Sequence, residues 1–226
     1  MSDRDVTRRG RDSAVAEIDP IAELRRVYGR ALDLHRDLYE ASNTHREAHG
    51  KGCEVYPSSP SQAPLWSLLA ALTGGRRFLE IGCGLGYTAA LMASEGGPRC
   101  RVDTIESDPM HTDLARRGLA RKRLRGRVRV LQGAALDVLP TLTKPYDVVF
   151  LDGDWREYPR YLPHLTRLTR RGSVIVTANI SPLFGGWGMD LPGRNEIRMY
   201  LSWLVRDRRF RTYITRGEWH SYSRRM

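Results

Sequence analysis

Glu80, Glu106 and Asp152 each stand at or near the end of an apolar run, and Gly82, Gly84 and Gly86 follow the first of them at alternate positions. Carboxylates placed this way accept hydrogen bonds from hydroxyl or ammonium groups. Glycines spaced this way remove the Cβ atoms that would block a tight turn and hold a ligand off the backbone. Phe78-Leu-Glu-Ile-Gly-Cys-Gly-Leu-Gly-Tyr87 therefore reads as a buried strand, a glycine turn and the start of a helix. Val102-Asp-Thr-Ile-Glu106 reads as a second strand ending in an acid. Such a carboxylate, about 20 residues beyond the turn, can accept from both hydroxyls of a ribose. The residues predict a nucleoside cofactor.

The dinucleotide fingerprint is G-x-G-x-x-G, whereas this chain has G-x-G-x-G with an acid two residues before the first glycine. That arrangement suits S-adenosyl-L-methionine better than a nicotinamide dinucleotide. The methionine end brings no pyrophosphate; it needs donors for a carboxylate and an acceptor for an ammonium. Free N–H groups at the turn and the start of the next helix are the expected donors. Glu80 and Asp152 are the expected acceptors.

The elements that must position these residues follow from apolar periodicity. Strands are predicted at 76–81, 101–105, 127–131, 146–151 and 173–178, alternating with helices at 86–95, 110–123, 135–142 and 159–169. The alternation argues for an α/β, Rossmann-like doubly wound sheet, mostly parallel, with helices on both faces. Ligands in such sheets bind beyond the C-terminal strand ends, which gathers Glu80 to Gly86, Glu106, Ala134, Asp152 to Trp155 and Ala178-Asn179 around one crevice. A helix at 194–206 and strands near 210–215 and 218–224 close the chain. Residues 1–18 mix both charge signs and read as a mobile tail. Asp19-Pro20 is a helix start, and Ser42 to Pro64 reads as a long loop of the kind that serves as a lid. The division is thus a tail (1–18), N-terminal helices with an acceptor-side lid loop (19–75) and a donor-binding catalytic domain (76–226), with 19–226 forming one globular unit.

From about Val55 to Met226 the chain resembles class I methyltransferases of the catechol and caffeoyl-CoA O-methyltransferase type. The resemblance rests on Phe78 to Thr88, Ile105-Glu-Ser-Asp-Pro109, Gly133-Ala-Ala-Leu-Asp-Val-Leu-Pro140 and Tyr146-Asp-Val-Val-Phe-Leu-Asp152. Asn195-Glu-Ile-Arg198, Asp207-Arg-Arg-Phe210 and Ser59-Pro-Ser-Gln62 add to it. It implies an antiparallel C-terminal edge hairpin turning at Arg216-Gly217, a homodimer, and donor contacts from Glu80, Gly82, Cys83, Gly84, Thr88, Glu106, Ala134, Asp152 and Trp155. In the catechol-type relatives a divalent ion is held by an Asp after the fourth strand and an Asp-Asn pair after the fifth. Asp152 matches the first, but the pair here is Ala178-Asn179. Hard cations want charged oxygen ligands, so the expectation is an enzyme that needs no metal, with a divalent-metal-dependent O-methyltransferase as the alternative.

The sulfonium is already a strong methyl electrophile, so the protein must align the nucleophile and exclude water. A hydroxyl acceptor also calls for a base. Asp152, His45, His49 and Tyr56 are the catalytic candidates, the last three on the segment that the resemblance lays over the acceptor. His111 is expected on the ribose side, His164 on a surface helix and His220 in the last hairpin. Tyr56, Trp155, Phe184, Trp187 and Met189 are expected to wall a small, flat, aromatic or natural-product-like acceptor.

Lys and Arg total 37 against 26 acids, a net charge of +11, with the densest basic run between Arg116 and Arg129. The run lacks interleaved aromatics that stack bases and reads as a solvated face; an RNA methyltransferase is the alternative it raises, and a partner protein that has lost catalysis is a third reading. Cys53, Cys83 and Cys100 show no metal spacing. With no signal peptide pattern and no apolar run of ~18 residues, the chain is expected in the cytoplasm with reduced thiols, away from membranes.

Overall fold

The computed structural model describes residues 26, 29, 33–180, 183, 193–215 and 220–226. The expected tail, the helix start at Asp19-Pro20, Phe184, Trp187, Met189 and the Arg216-Gly217 turn lie outside these residues. Seven strands form one sheet in the order β3-β2-β1-β4-β5-β7-β6. They are β1 (Arg77–Ile81), β2 (Arg101–Glu106), β3 (Val128–Gln132), β4 (Tyr146–Leu151), β5 (Thr169–Thr177), β6 (Phe210–Ile214) and β7 (Ser221–Arg225). The first five are parallel, and β7 pairs antiparallel with both β5 and β6, so the doubly wound sheet with its antiparallel edge is observed.

The period-2 pattern of the strands sorts side chains into two cores. Phe78, Val102, Val148, Phe150 and Val176 face α2 (Ala63–Thr73), α3 (Tyr87–Glu95) and α4 (Pro109–Arg121). Leu79, Ile81, Ile105, Val149, Leu151 and Ile175 face α6 (Tyr158–Leu168) and α7 (Arg194–Arg206), with the single-turn α5 (Ala135–Val138) beside them. All of β4 is buried, as a central parallel strand covered on both faces must be.

Two boundaries differ from the sequence expectation. α1 runs from Arg36 to His49, so the first third of the predicted Ser42–Pro64 loop is helical. Its polar residues are satisfied on the helix itself: the Ser42 hydroxyl donates to the Leu38 carbonyl at 2.8 Å and the Asn43 amide to the Tyr39 carbonyl at 3.2 Å. β5 begins at Thr169, four residues before the predicted start. Its register against β4 shifts between Tyr146 and Val148, and Gly172 takes φ +91° there, so a bulge admits Arg170 and Arg171 into the strand.

Gly82 ends β1 with φ +98°, and a Cβ there would lie 2.4 Å from the backbone oxygen of Asp152. Gly82→Ala is expected to cost at least ~3 kcal/mol, because strain and overlap add. Thermal unfolding should show this as a fall in Tm of about 10 °C.

Candidate functional site

The C-terminal ends of β1, β2 and β4 bring Glu80, Glu106 and Asp152 together around the glycine turn. The turn spends most of its own amides on the fold. Gly82 and Cys83 N–H both donate to the Ile105 carbonyl at 3.1 Å, and Gly86 N–H donates to the Cys83 carbonyl at 3.0 Å. Gly84 N–H donates to Glu106 Oε2 at 2.7 Å. Leu85 N–H has no partner in the turn among the described residues, and the amides heading α3, from Tyr87 onward, have no intrahelical partner, so the expected free donors narrow to these.

Glu106 is held from two sides. Its Oε1 accepts from Asp108 N–H at 3.0 Å while Oε2 accepts from Gly84. The carboxylate thus spans the end of β2 and the glycine turn, and 8% of the residue remains exposed. Glu80 is fully buried beneath the turn, and Thr104 donates to its Oε2 at 2.5 Å. Desolvation, with the nearby Asp152 and Glu106 charges, raises its pKa well above the ordinary value. Its Oε1 has no hydrogen-bond partner among the described residues.

Asp152 lies just past β4, its N–H on the Ile81 carbonyl at 2.9 Å. Asn179 donates through Nδ2 to Asp152 Oδ1 at 2.7 Å. Asn179 takes φ +59°, a left-handed conformation that Asn tolerates better than most side chains. Burial raises the Asp152 carboxyl to about 7, against the lowering effect of the Asn179 hydrogen bond. Asp154, the acid that could replace the missing metal ligand, is engaged by Arg156, whose Nε and Nη2 donate to it at 2.7–2.9 Å. One carboxylate, one amide presenting its NH₂ and one acid already paired with a guanidinium do not fit a hard-cation site.

The other candidates fall around this centre. The Thr88 hydroxyl donates to Ser58 at 2.9 Å, tying the head of α3 to the segment before α2. Cys83 is buried, and desolvation with the Glu80 charge raises its pKa well above the ordinary value. Ala134 is exposed beyond β3, where a small residue leaves room for a ring. Trp155 packs against the second core, with its ring next to Gly193 at the head of α7. Tyr56 is 62% exposed beneath the Arg46 guanidinium, 5.0 Å from its ring centroid.

His49 is exposed and donates through Nδ1 to the His45 carbonyl at 2.8 Å. His45 turns instead to His111, with Nε2 atoms 3.1 Å apart, and His111 Nδ1 lies 3.9 Å from Glu106 Oε1. Burial, then the His49 and His111 charges, lowers the His45 pKa. Cys53 completes this group, the ligand atoms of the three residues lying within 4.8 Å of one another. Sequence reasoning missed the cluster, since its members come from three separate segments and no spacing links them.

The basic run is largely consumed by the fold. Arg116 donates to the Val130 carbonyl, Arg127 to the Gly97 carbonyl, and Arg129 forks onto Asp103. A groove of about 450 Å³ lined by Arg77, Arg101, Arg125, Arg127 and Arg129 lies at the strand beginnings, the opposite end of the sheet from the crevice.

The profile of the O-methyltransferase family matches residues 37–197. The chain belongs to the O-methyltransferase family. The resemblance read from the glycine turn and the two acids is thereby borne out, and with it the class of donor. The chain is 42% identical to a catechol O-methyltransferase of Mycobacterium tuberculosis over 123 residues, 54% of this chain and 56% of that protein. It is 34% identical to a catechol O-methyltransferase of Niastella koreensis over 147 residues, 63% of this chain and 65% of that protein. These matches span less than two thirds of either relative's length. The crystal structure of the O-methyltransferase TomG from Streptomyces achromogenes, in complex with S-adenosylmethionine, superposes with a TM-score of 0.67 at 26% identity. That superposition covers 95% of this chain and 93% of TomG. Among the described residues no helix is long and apolar enough to cross a membrane.

Proposed function

We propose that this family member transfers a methyl group from S-adenosylmethionine to a hydroxyl of a small aromatic acceptor, with Asp152 as the base and without a required metal ion. The observation that carries the reading is the Asp152 carboxylate at the edge of the glycine turn, oriented by Asn179 and titrating near neutrality. Glu106 holds the ribose hydroxyls, and the amides heading α3 hold the donor's carboxylate. Asn179 occupies one Asp152 oxygen, leaving the other to take the hydroxyl proton as the acceptor oxygen attacks the methyl carbon. The electron pair of the S–CH₃ bond stays on sulfur, and the demethylated donor leaves neutral at sulfur. The two catechol O-methyltransferases among its relatives support a phenolic acceptor. Family membership, together with a basic groove remote from the crevice, favours a small molecule over RNA.

The test is methylation of a panel of catechols and simple phenols after exhaustive chelation, with the demethylated donor quantified. Turnover within about twofold of the untreated protein is the expected result, since a base supplies what the ion would supply elsewhere. Loss of turnover that Mg²⁺ alone restores overturns the metal-free reading.

A further inference from the structure

Outside the crevice, the densest group of chemically competent side chains is His45 on α1, Cys53 just past the short turn Gly50–Gly52, and His111 in the first turn of α4. The two imidazoles meet at Nε2 with rings crossing at 82° and centroids 5.0 Å apart. A tetrahedral set with metal–nitrogen bonds of 2.0–2.1 Å has N···N edges of about 3.3 Å, close to the 3.1 Å observed. One ligand atom from each of His45, Cys53 and His111 lies within 4.8 Å of the other two. Closing onto a shared ion, with a metal–sulfur bond of ~2.3 Å, requires a movement of about 1 Å, within reach of a side-chain rotation.

The surroundings suit such a site. Asp108 caps α4, its Oδ1 accepting from the His111 N–H at 3.0 Å, which fixes the backbone that carries the imidazole. Glu106 Oε1 stands 3.9 Å from His111 Nδ1, on the far side of the ring from His45. That distance is beyond a hydrogen bond, so the carboxylate bears on the ring as a nearby negative charge. Cys53 is buried with Val55 and Leu85, an apolar wall that strengthens a metal–thiolate bond. Two imidazoles and a thiolate select Zn²⁺ and its neighbours over Mg²⁺ or Ca²⁺. Three protein ligands leave a fourth position for water.

We infer that His45, Cys53 and His111 form a binding site for a borderline-soft divalent ion such as Zn²⁺, which clamps α1 and the following loop to α4 beside Glu106. Cys53 binds as the thiolate and releases its proton to solvent. The site is distinct from the Asp152–Asn179 pair, so the inference does not rest on the metal-free reading of the reaction.

The experiment is a Co²⁺ titration of the whole, metal-stripped, reduced chain, followed by absorption spectroscopy and displacement with Zn²⁺. One equivalent should bind, giving the visible bands of four-coordinate cobalt and a thiolate-to-cobalt charge-transfer band that Zn²⁺ abolishes and Mg²⁺ does not. Cys53→Ser should lose the charge-transfer band. His111→Gln and His45→Gln should each weaken binding at least about tenfold, and Asp152→Asn should leave it unchanged. His45 is only half-buried on its helix, so its variant reads the site even if Cys53→Ser does not fold. No thiolate band in the native chain, or equal Co²⁺ affinity in the native chain and His45→Gln, overturns the inference.

Discussion

Asp152→Asn is expected to melt at a higher temperature than the native chain while methyl transfer falls about 10²- to 10⁴-fold, the range for loss of a positioned base. The two effects have one cause. Burial lifts the folded-state pKa to about 7, against an unfolded value near ~4. The fold therefore favours the protonated acid. That contribution is fully present below about pH 4 and is lost as pH rises toward about 7, above which a desolvated charge opposes folding. An amide carries no such charge, and its oxygen can still accept from Asn179. The Tm gain should thus be absent at pH 4 and reach about 2–6 °C at pH 8, as thermal unfolding at the two pH values would show. In the native enzyme, kcat/KM for the acceptor should rise with pH through about 7. In kcat at saturating donor the same limb should sit lower, because the bound sulfonium favours the carboxylate. If Asp152 instead anchored a divalent ion, the variant would lose a ligand and melt lower than the native chain in the presence of that ion.

The fold was legible because its signals are local and repeated. The parallel strands carry short apolar stretches, α4, α6 and α7 carry apolar stripes while α3 is buried from Tyr87 to Ala93, and the glycine turn between Ile81 and Tyr87 punctuates the first βα unit. Glu106 and Asp152 were legible for the same reason: each ends a strand, and strand ends in such a sheet converge. What failed depends on contacts that no local pattern encodes. Ser42 and Asn43 look like loop residues until their side chains are seen bonded to their own helix. His45, Cys53 and His111 come together only because α1 folds back over the start of α4, a distance of 66 residues between the two histidines. Ala178-Asn179, by contrast, could be weighed from sequence alone, since a missing carboxylate is a difference in residue type. The structure adds that Asp154 is already committed to Arg156.

Glu106→Gln is expected to weaken binding of both S-adenosylmethionine and its demethylated product about 100-fold. Each ribose hydroxyl donating to a carboxylate contributes roughly 1.5 kcal/mol as a charge-assisted hydrogen bond. Two of them amount to about 3 kcal/mol, or 10²-fold in Kd. An amide cannot stand in, because both Glu106 oxygens already accept backbone N–H groups, from Gly84 and Asp108. Whichever way the glutamine turns, its NH₂ faces one of those donors, so either the glycine turn or the start of α4 is pushed away from the ribose position. The damage should stay local. Gly133 N–H still donates to the residue's backbone carbonyl at 2.8 Å, and the strand pairing of β2 with β1 and β3 does not involve the side chain. Calorimetric titration with the demethylated donor reads the affinity directly. The acceptor's KM at saturating donor should change less than about threefold, since Glu106 lies on the ribose side of the turn and Asp152 on the other. A donor Kd within about threefold of the native value would place the ribose elsewhere and remove Glu106 from the site.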